Sequence, residues 1–488
     1  MSSTLGEMSA VELSAAIRHK KVSAREALAA HLDRISEVNP VINAVVTLDA
    51  EGAQAKAHEA DQLTASGAAL PPLHGVPMTH KDTNSTAGMR TTQGSVALRD
   101  YVPDADDLII ARLKAAGVIS TGKSNVPEFG AGSHTFNDLF GTTTNPYAPT
   151  LSAGGSSGGV AAVVASRVQS IGDGSDMGGS LRIPASFCNV VGFRPSTAVI
   201  PMPSDTNAYS WLGRTGPMAR SVEDIALFMS ATAGSDPRVP YPAGLDPEVF
   251  RTTLETDMRG VRIGWSHDFG IGVPVDPEVV EHLERQLAVF EALGAIVEEA
   301  TPDFSGADLV FGNTRALDFA AGLGPILERA GDVIKPEVHW NVEKGFALTA
   351  RDFIETAAAR TRLEVSVQDF FGRYDLFASP CAQVLPFDAT LRYPADIAGV
   401  PSETYLDWMR SACLLSATGL PVLSVPAGLS SAGLPIGLQL AGNHYTDMQL
   451  LRYGRAFEQQ TGYAAVAPVL NAASASNAAQ APLTTVGA

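Results

Sequence analysis

Cysteine, basic residues and long apolar runs are all in short supply in this chain, and each shortage removes a class of protein. The three cysteines, Cys188, Cys381 and Cys413, are an odd number without framework spacing or a CxxC pair, which argues against a disulfide scaffold. The ten histidines include no HExxH pattern, so neither the histidines nor the cysteines support a metal site, and no cofactor motif survives inspection. Lysine and arginine total 34 against 52 acidic residues, a net charge of −18 that repels phosphate backbones and anionic lipid. Nucleic acid and membrane are therefore poor candidate partners. No apolar run is long enough to span a bilayer, and the first 35 residues lack the continuous apolar core of a secretory signal; the expected location is the cytoplasm.

What is present reads as an α/β protein. Leu28, Leu32, Ile35 and Val38 recur at helical spacing in the second of two N-terminal amphipathic helices, which Asn39-Pro40 is expected to end. Residues 53–66 suggest a third helix. From Pro71-Pro72 to about residue 217 the texture changes to short apolar runs broken by Gly, Pro and Thr, the expected catalytic core. Helix over 107–116 and strand over 118–121 follow one another, 157–167 reads as a buried helix of small residues, and 261–265 as a strand. The segment 277–293 predicts a helix stopped by Gly294, before the strand-like 295–297. Repeated βα units predict a sheet covered by helices on both faces. With no internal repeat or Gly/Ser linker, residues 1–466 read as a single domain. The tail from Ala467, rich in Ala, Ser and Asn, reads as disordered.

Residues 117–124, GVISTGKS, satisfy the phosphate-loop pattern GxxxxGK[ST]. Such a loop must leave a strand at its first glycine and enter a helix at Lys-Ser. Here a helix precedes Gly117, β-branched residues fill the supposed loop, and Asn125-Val126-Pro127 follows, so the grammar is reversed. The SxxK match from Ser120 to Lys123 fails likewise, because Ser120 falls in a strand; Lys123 reads as a structural or surface lysine.

Chemistry concentrates at residues 152–184, SAGGSSGGVAAVVASRVQSIGDGSDMGGSLRIP. Two Gly/Ser clusters flank a small-residue helix and a short strand. Such clusters let backbone N–H groups converge on one point, to cradle an anion or an oxyanion. A serine within the cluster and a basic group nearby turn anion binding into acyl transfer. Upstream, LHGVPMTHKD places Lys81 at the end of a strand-like run.

With GTTTNPYAPTLSAGGSSGGVAA, GDGSDMGGSLRIPASFCNVVGFRPS, GPMARSVEDIALFM, YDLFASPCAQVLP and GLPIGLQLAG, these stretches resemble the amidase signature family over most of residues 5–465. The resemblance implies an amidase signature fold with a large mixed central β-sheet covered by helices on both faces. It implies Ser180 as nucleophile, Ser156 as bridging serine and Lys81 as terminal base. It also implies a cis Gly155–Ser156 bond, an oxyanion hole from the N–H groups of Met177, Gly178, Gly179 and Ser180, and supporting roles for Ser157, Ser175, Asp176 and Arg182.

The chemistry stands apart from the resemblance. A serine hydroxyl needs a base within hydrogen-bond reach, and lysine serves only when neutral. Burial must bring its pKa from about 10.4 towards 7–8, a shift of roughly 3–5 kcal/mol. A site of Gly and Ser, without a carboxylate beside the lysine, suits that. His80 points to the opposite face of the strand from Lys81 and is expected to pack or face solvent.

The expected activity is hydrolysis of an amide bond in a small molecule, with esters and carbamates (urethanes) reacting at the same tetrahedral geometry and urethane hydrolysis a rival reading. The glutaminase subunit of the tRNA-dependent amidotransferase shares the core but carries an acid where this chain has Met409; Asp407 is near but out of register. A stand-alone hydrolase is therefore expected, with a homodimer left open and a silent binding protein as the rival from another class. Phe129, Met177, Trp211 and Trp408 are candidates for an apolar pocket and equally for the core.

Overall fold

The computed structural model describes residues 2–241, 245–470 and 484–485. Helices Ala10–Arg18 and Ala24–Ile42 each begin in a capping box, Ser9 with Glu12 and Ser23 with Glu26. The second runs on to Ile42 instead of stopping at Asn39-Pro40. A proline this late costs the helix one donor in its last turn. The exit is secured by the Asn39 side chain, which accepts the N–H groups of Ala44 and Val45 at 2.8 and 2.7 Å, and by Asn43 in the left-handed conformation. The third expected helix spans Ala50–Ser66.

Strands β1 (Val45–Leu48), β2 (Pro77–Lys81) and β3 (Ile119–Ser124) form a small sheet in which β3 pairs antiparallel with β1 and parallel with β2. The GVISTGKS stretch is thus largely a buried strand entered from helix Leu108–Ala115, as its reversed grammar predicts. Lys123 is fully buried, its Nζ donating to the Asn84 carbonyl at 2.5 Å and to Thr86 Oγ1 at 2.7 Å. Of the two expectations for it, the structural one holds.

The large sheet contains β4 (Ile171–Asp176), β5 (Val191–Arg194), β6 (Arg214–Ala219), β7 (Arg262–Trp265), β8 (Ile296–Glu299), β9 (Leu376–Pro380), β10 (Val422–Leu429) and β11 (Pro435–Ala441). Their order across the sheet is β8-β7-β9-β11-β10-β5-β6-β4, parallel at the β8-β7-β9 side and antiparallel elsewhere, so the sheet is mixed as expected. β4 ends this sheet beside β2 of the smaller one, and side chains bridge the two: Gln169 Oε1, just before β4, accepts the Thr79 N–H at 2.9 Å. Of the tail expected to be disordered, residues 471–483 and 486–488 lie outside the described residues; Thr484–Thr485 (β12) lies parallel to β1.

Helix Gly158–Ala165 is buried along its whole length, which only its small side chains permit. A Cβ on Gly158 would meet Thr135 Oγ1 at 2.3 Å, and one on Gly159 would meet Asn125 backbone at 2.5 Å. Helix Pro277–Ala292 ends before Gly294, which takes φ +93°. Between β8 and β9, helices Ala307–Ala330, Pro336–Phe346 and Ala350–Phe371 pack together, the second opening on Pro336 and the third in a capping box of Thr349 with Asp352. No helix among the described residues is long and apolar enough to cross a membrane.

Candidate active site

Lys81 closes β2 and is fully buried. Its Nζ donates to Ser156 Oγ at 2.7 Å, Ser175 Oγ at 2.8 Å and Ser157 Oγ at 2.9 Å, with the Ser175 carbonyl at 3.5 Å. Among the described residues no carboxylate oxygen touches this nitrogen. Burial brings the Lys81 pKa down to about 7, against the opposing pull of Asp176 and Asp173. The absence of a carboxylate beside the lysine is therefore true of contact, while two stand nearby.

Ser157 occupies the N-cap of helix Gly158–Ala165 but makes no side-chain capping bond; its hydroxyl serves Lys81 instead. The Gly155–Ser156 peptide bond is cis. Ser157 N–H donates to the Ser180 carbonyl at 3.2 Å, which draws the two Gly/Ser clusters together. Ser180 is almost wholly buried, at 6% exposure.

The turn before Ser180 is organised by Asp176. Its carboxylate accepts Gly179 N–H at 2.9 Å, Leu181 N–H at 3.1 Å and both Arg182 Nε and Nη2 at 3.0 Å. Arg194 Nη1 adds a contact to the same carboxylate at 3.4 Å and one to the Asp176 carbonyl at 2.5 Å. These cations hold the Asp176 pKa far below the usual carboxylate range despite burial. Arg182 also binds Gln439 Oε1, the Ala412 carbonyl and Ser416 Oγ, locking the turn onto β11 and helix Arg410–Thr418.

Of the four amides expected to form an oxyanion hole, that of Gly179 donates to the Asp176 carboxylate at 2.9 Å. The N–H groups of Met177, Gly178 and Ser180 find no protein acceptor among the described residues. Neither glycine has room for a side chain. A Cβ on Gly178 would lie 2.8 Å from Phe311 Cζ, and one on Gly179, at φ +101°, would lie 2.5 Å from Ala412 Cβ.

The apolar candidates separate. Trp408 is core, stacked on Phe187 with Phe387 at its edge, and Trp211 is buried beneath the Arg360 guanidinium at 3.6 Å. Met177 and Phe129 pack together with Ala131 and Phe319 near the serines. Gly130, next to Phe129, is close enough that its Cβ would stand 3.4 Å from Ser156 Oγ. Met409 is buried against Gly178, and the Asp407 carboxylate is taken by the N–H groups of Glu403 and Thr404 at 2.7 and 2.6 Å.

Arg315 escapes a reading of the sequence. Arg315, buried in helix Ala307–Ala330, touches Met177 Sδ at 3.2 Å, Tyr405 Oη at 2.7 Å and Asn341 Oδ1 at 3.2 Å. His80 is wholly buried and pairs with Asp173 at 2.7 Å, so of packing and exposure it is packing that holds. Among the described residues no cluster of three or more His, Cys, Asp or Glu side chains could hold a metal ion.

The fold and these motifs define a hydrolase of the α/β type built on a mixed sheet. The family model described as Amidase matches residues 26–451, and the chain belongs to the amidase family, the amidase signature enzymes. It is 34% identical to an acylamidase of Rhodococcus erythropolis, over 92% of this chain and 95% of that one. It is equally 34% identical to a glutamyl-tRNA(Gln) amidotransferase subunit of Moorella thermoacetica, over 96% and 99%. In structure it is similar to a bacterial aryl acylamidase of the amidase signature family, with TM-score 0.88 and 28% identity over 94% of this chain and 98% of that one. The 6-aminohexanoate cyclic dimer hydrolase follows at TM-score 0.84 and 26% identity, covering 95% and 99%. The chain is an amidase-signature hydrolase acting on carbon–nitrogen amide bonds.

Proposed function

We propose that this chain is a stand-alone amidase for small molecules, with Ser180 as nucleophile, Ser156 as proton bridge and Lys81 as base. The observation that carries the reading is the setting of Lys81: a buried amine, at about pKa 7, surrounded by the hydroxyls of Ser156, Ser157 and Ser175. Ser157 and Ser175 orient the amine, leaving its lone pair for Ser156.

In the reaction, Ser156 passes its proton to Lys81 Nζ while taking the proton of Ser180. Ser180 Oγ forms a bond to the substrate carbonyl carbon, and the carbonyl oxygen takes the negative charge. Met177, Gly178 and Ser180 supply N–H donors for that oxyanion, which gain strength in a site shielded from water. Lys81 then returns the proton through Ser156 to the amide nitrogen, the C–N bond breaks and the amine leaves. Water attacks the acyl-enzyme by the same relay, releasing the acid and restoring Ser180.

Esters and carbamates present the same carbonyl to the same groups, and carbamate cleavage is the nearest alternative activity. Several relatives are named as amidotransferase subunits, so a glutaminase is the second reading. Against it, the Met409 thioether beside Gly178 offers no charge to the ammonium group of free glutamine, and Asp407 is occupied. The net charge of −18 also disfavours tRNA as a partner. The test is turnover of an anilide, a primary amide, an ester, a carbamate and glutamine by wild type and Ser180→Ala. Glutamine outpacing every other substrate would replace the stand-alone reading, and undiminished anilide turnover by Ser180→Ala would remove the proposed nucleophile.

A further inference from the structure

The two carboxylates near Lys81 differ in what neutralises them. Asp176 lies between two guanidiniums, Arg182 at 3.0 Å and Arg194 at 3.4 Å, so its cluster is net positive. Asp173 touches no guanidinium. Its Oδ1 accepts from His80 Nδ1 at 2.7 Å, and its Oδ2 from Asn84 Nδ2 at 2.5 Å and the Lys81 backbone N–H at 3.2 Å. Asp173, His80, Asn84 and Lys81 are all buried. β2 and β4 belong to different sheets and share no backbone ladder, so this carboxylate is a direct tie between Lys81 and β4.

We propose that Asp173 is the positioning residue of the lysine base, pinning the end of β2 to β4 and setting the charge balance in which Lys81 works. The inference rests on the reading of Lys81 as base. Burial on its own keeps depressing an ammonium past the point where the amine is useful; a group that takes and then returns a proton works best with its pKa near the working pH. A carboxylate at one remove, held by His80 and Asn84 and not by a guanidinium, counters burial without capturing the amine in a salt bridge.

The surrounding charges fit this role. His80 faces Asp173 from β2, Lys123 from β3, and Asp176 with Arg182 and Arg194 from the Ser180 side; Asp82 and Asp107 lie around Lys123. His80 Nε2 continues to Ser120 Oγ at 2.7 Å, completing a serine–histidine–aspartate line. Ser120 sits inside strand β3 opposite Met78, where backbone N–H groups serve the ladder, so this line is a tether and not a second nucleophilic centre.

Asp173→Asn retains an acceptor for the tie and removes the charge. The acid limb of the kcat/KM profile on an anilide is expected to move to lower pH, by about one unit at most, because the Lys81 ammonium loses a stabilising neighbour. The plateau kcat should fall, since a less basic amine is a weaker base. Asp173→Glu should return the limb to its wild-type position. A structural role alone would lower the rate at every pH and leave the limb in place, which would overturn the proposal, as would a limb moved to higher pH. Asp173→Ser, equally uncharged, reads the same limb if the Asn variant does not fold. Lys81→Ala separates the two ideas. If it keeps wild-type turnover, the base reading itself fails; if it is inactive and the Asp173→Asn limb stays put, only the positioning role fails.

Discussion

Lys81 Nζ and Ser156 Oγ are 2.7 Å apart, and the amine completes its shell with Ser157 and Ser175 hydroxyls. A hydroxyl can donate as well as accept, so this shell accommodates a neutral amine, which a ring of carboxylates would not. Turnover should therefore follow the neutral fraction of Lys81: kcat/KM rises through pH 7 and levels off above about pH 8. A rate–pH profile on an anilide with chemistry rate-limiting checks this, and a flat line from pH 6 to 9 would contradict it.

The same shift bears on stability. Between about pH 7 and 10.5 the unfolded chain holds a proton that folded Lys81 has released, so this group makes folding more favourable as pH rises across that window. Below it the burial penalty is complete, on the order of 5 kcal/mol for the fall from 10.5 to about 7. Lys81→Met, similar in length and without charge, should be inactive yet no less stable than wild type at pH 7. Thermal melts beside activity assays decide the matter; a strongly lowered Tm would mean the hydroxyl shell outweighs the penalty.

Ser180→Ala should lower kcat by about a thousandfold or more, and Ser156→Ala should approach it, because residues acting as one relay lose function together. A fluorophosphonate should label wild type at Ser180 and leave Ser180→Ala unmodified, as read by peptide mass. Labelling at another serine in wild type would place the nucleophile elsewhere.

The meeting of Lys81 with Ser156 was legible because it depends on a Gly/Ser cluster and on a strand end, both written in contiguous residues. Asp173 was not, since an acid in the string GDGSD reads as a turn until β2 and β4, from separate sheets, meet across it. Gly179 shows a different limit. Its glycine is required by φ +101° and by Ala412, yet the direction of its N–H is set by where the Asp176 carboxylate folds back. For Trp408 pocket and core were both open, because burial against Phe187 and Phe387 depends on partners far away in the chain. Helix Ala307–Ala330, which carries Arg315, has no motif to announce it.

Asp176→Asn should be among the most damaging single changes. It leaves Arg182 and Arg194 buried without their counter-ion and loosens the N–H of Gly179. Breaking one partner out of a buried ionic cluster costs about 3–5 kcal/mol. Denaturant unfolding should register that loss, and activity should fall with it because the Ser180 turn is no longer braced. A variant within experimental error of wild-type stability would mean that the two guanidiniums find other partners.

In the proposed relay the proton held by Lys81 has a second task, and it separates amides from esters. An amine leaves poorly as an anion, so the C–N bond breaks only once the nitrogen has received the relayed proton. A nitrophenolate leaves without one. Lys81→Ala removes both the base that deprotonates Ser180 and the acid that protonates the leaving group, so an anilide loses two contributions where an activated ester loses one. General acid–base assistance contributes about 10²–10⁴-fold, and the anilide should therefore fall further than the matched nitrophenyl ester by about a hundredfold or more. Steady-state kcat/KM for an anilide and ester of the same acyl group, in wild type and Lys81→Ala, measures the difference. Equal losses on the two substrates would mean that the relay acts only in the attack of Ser180, and that the departing nitrogen takes its proton from another source.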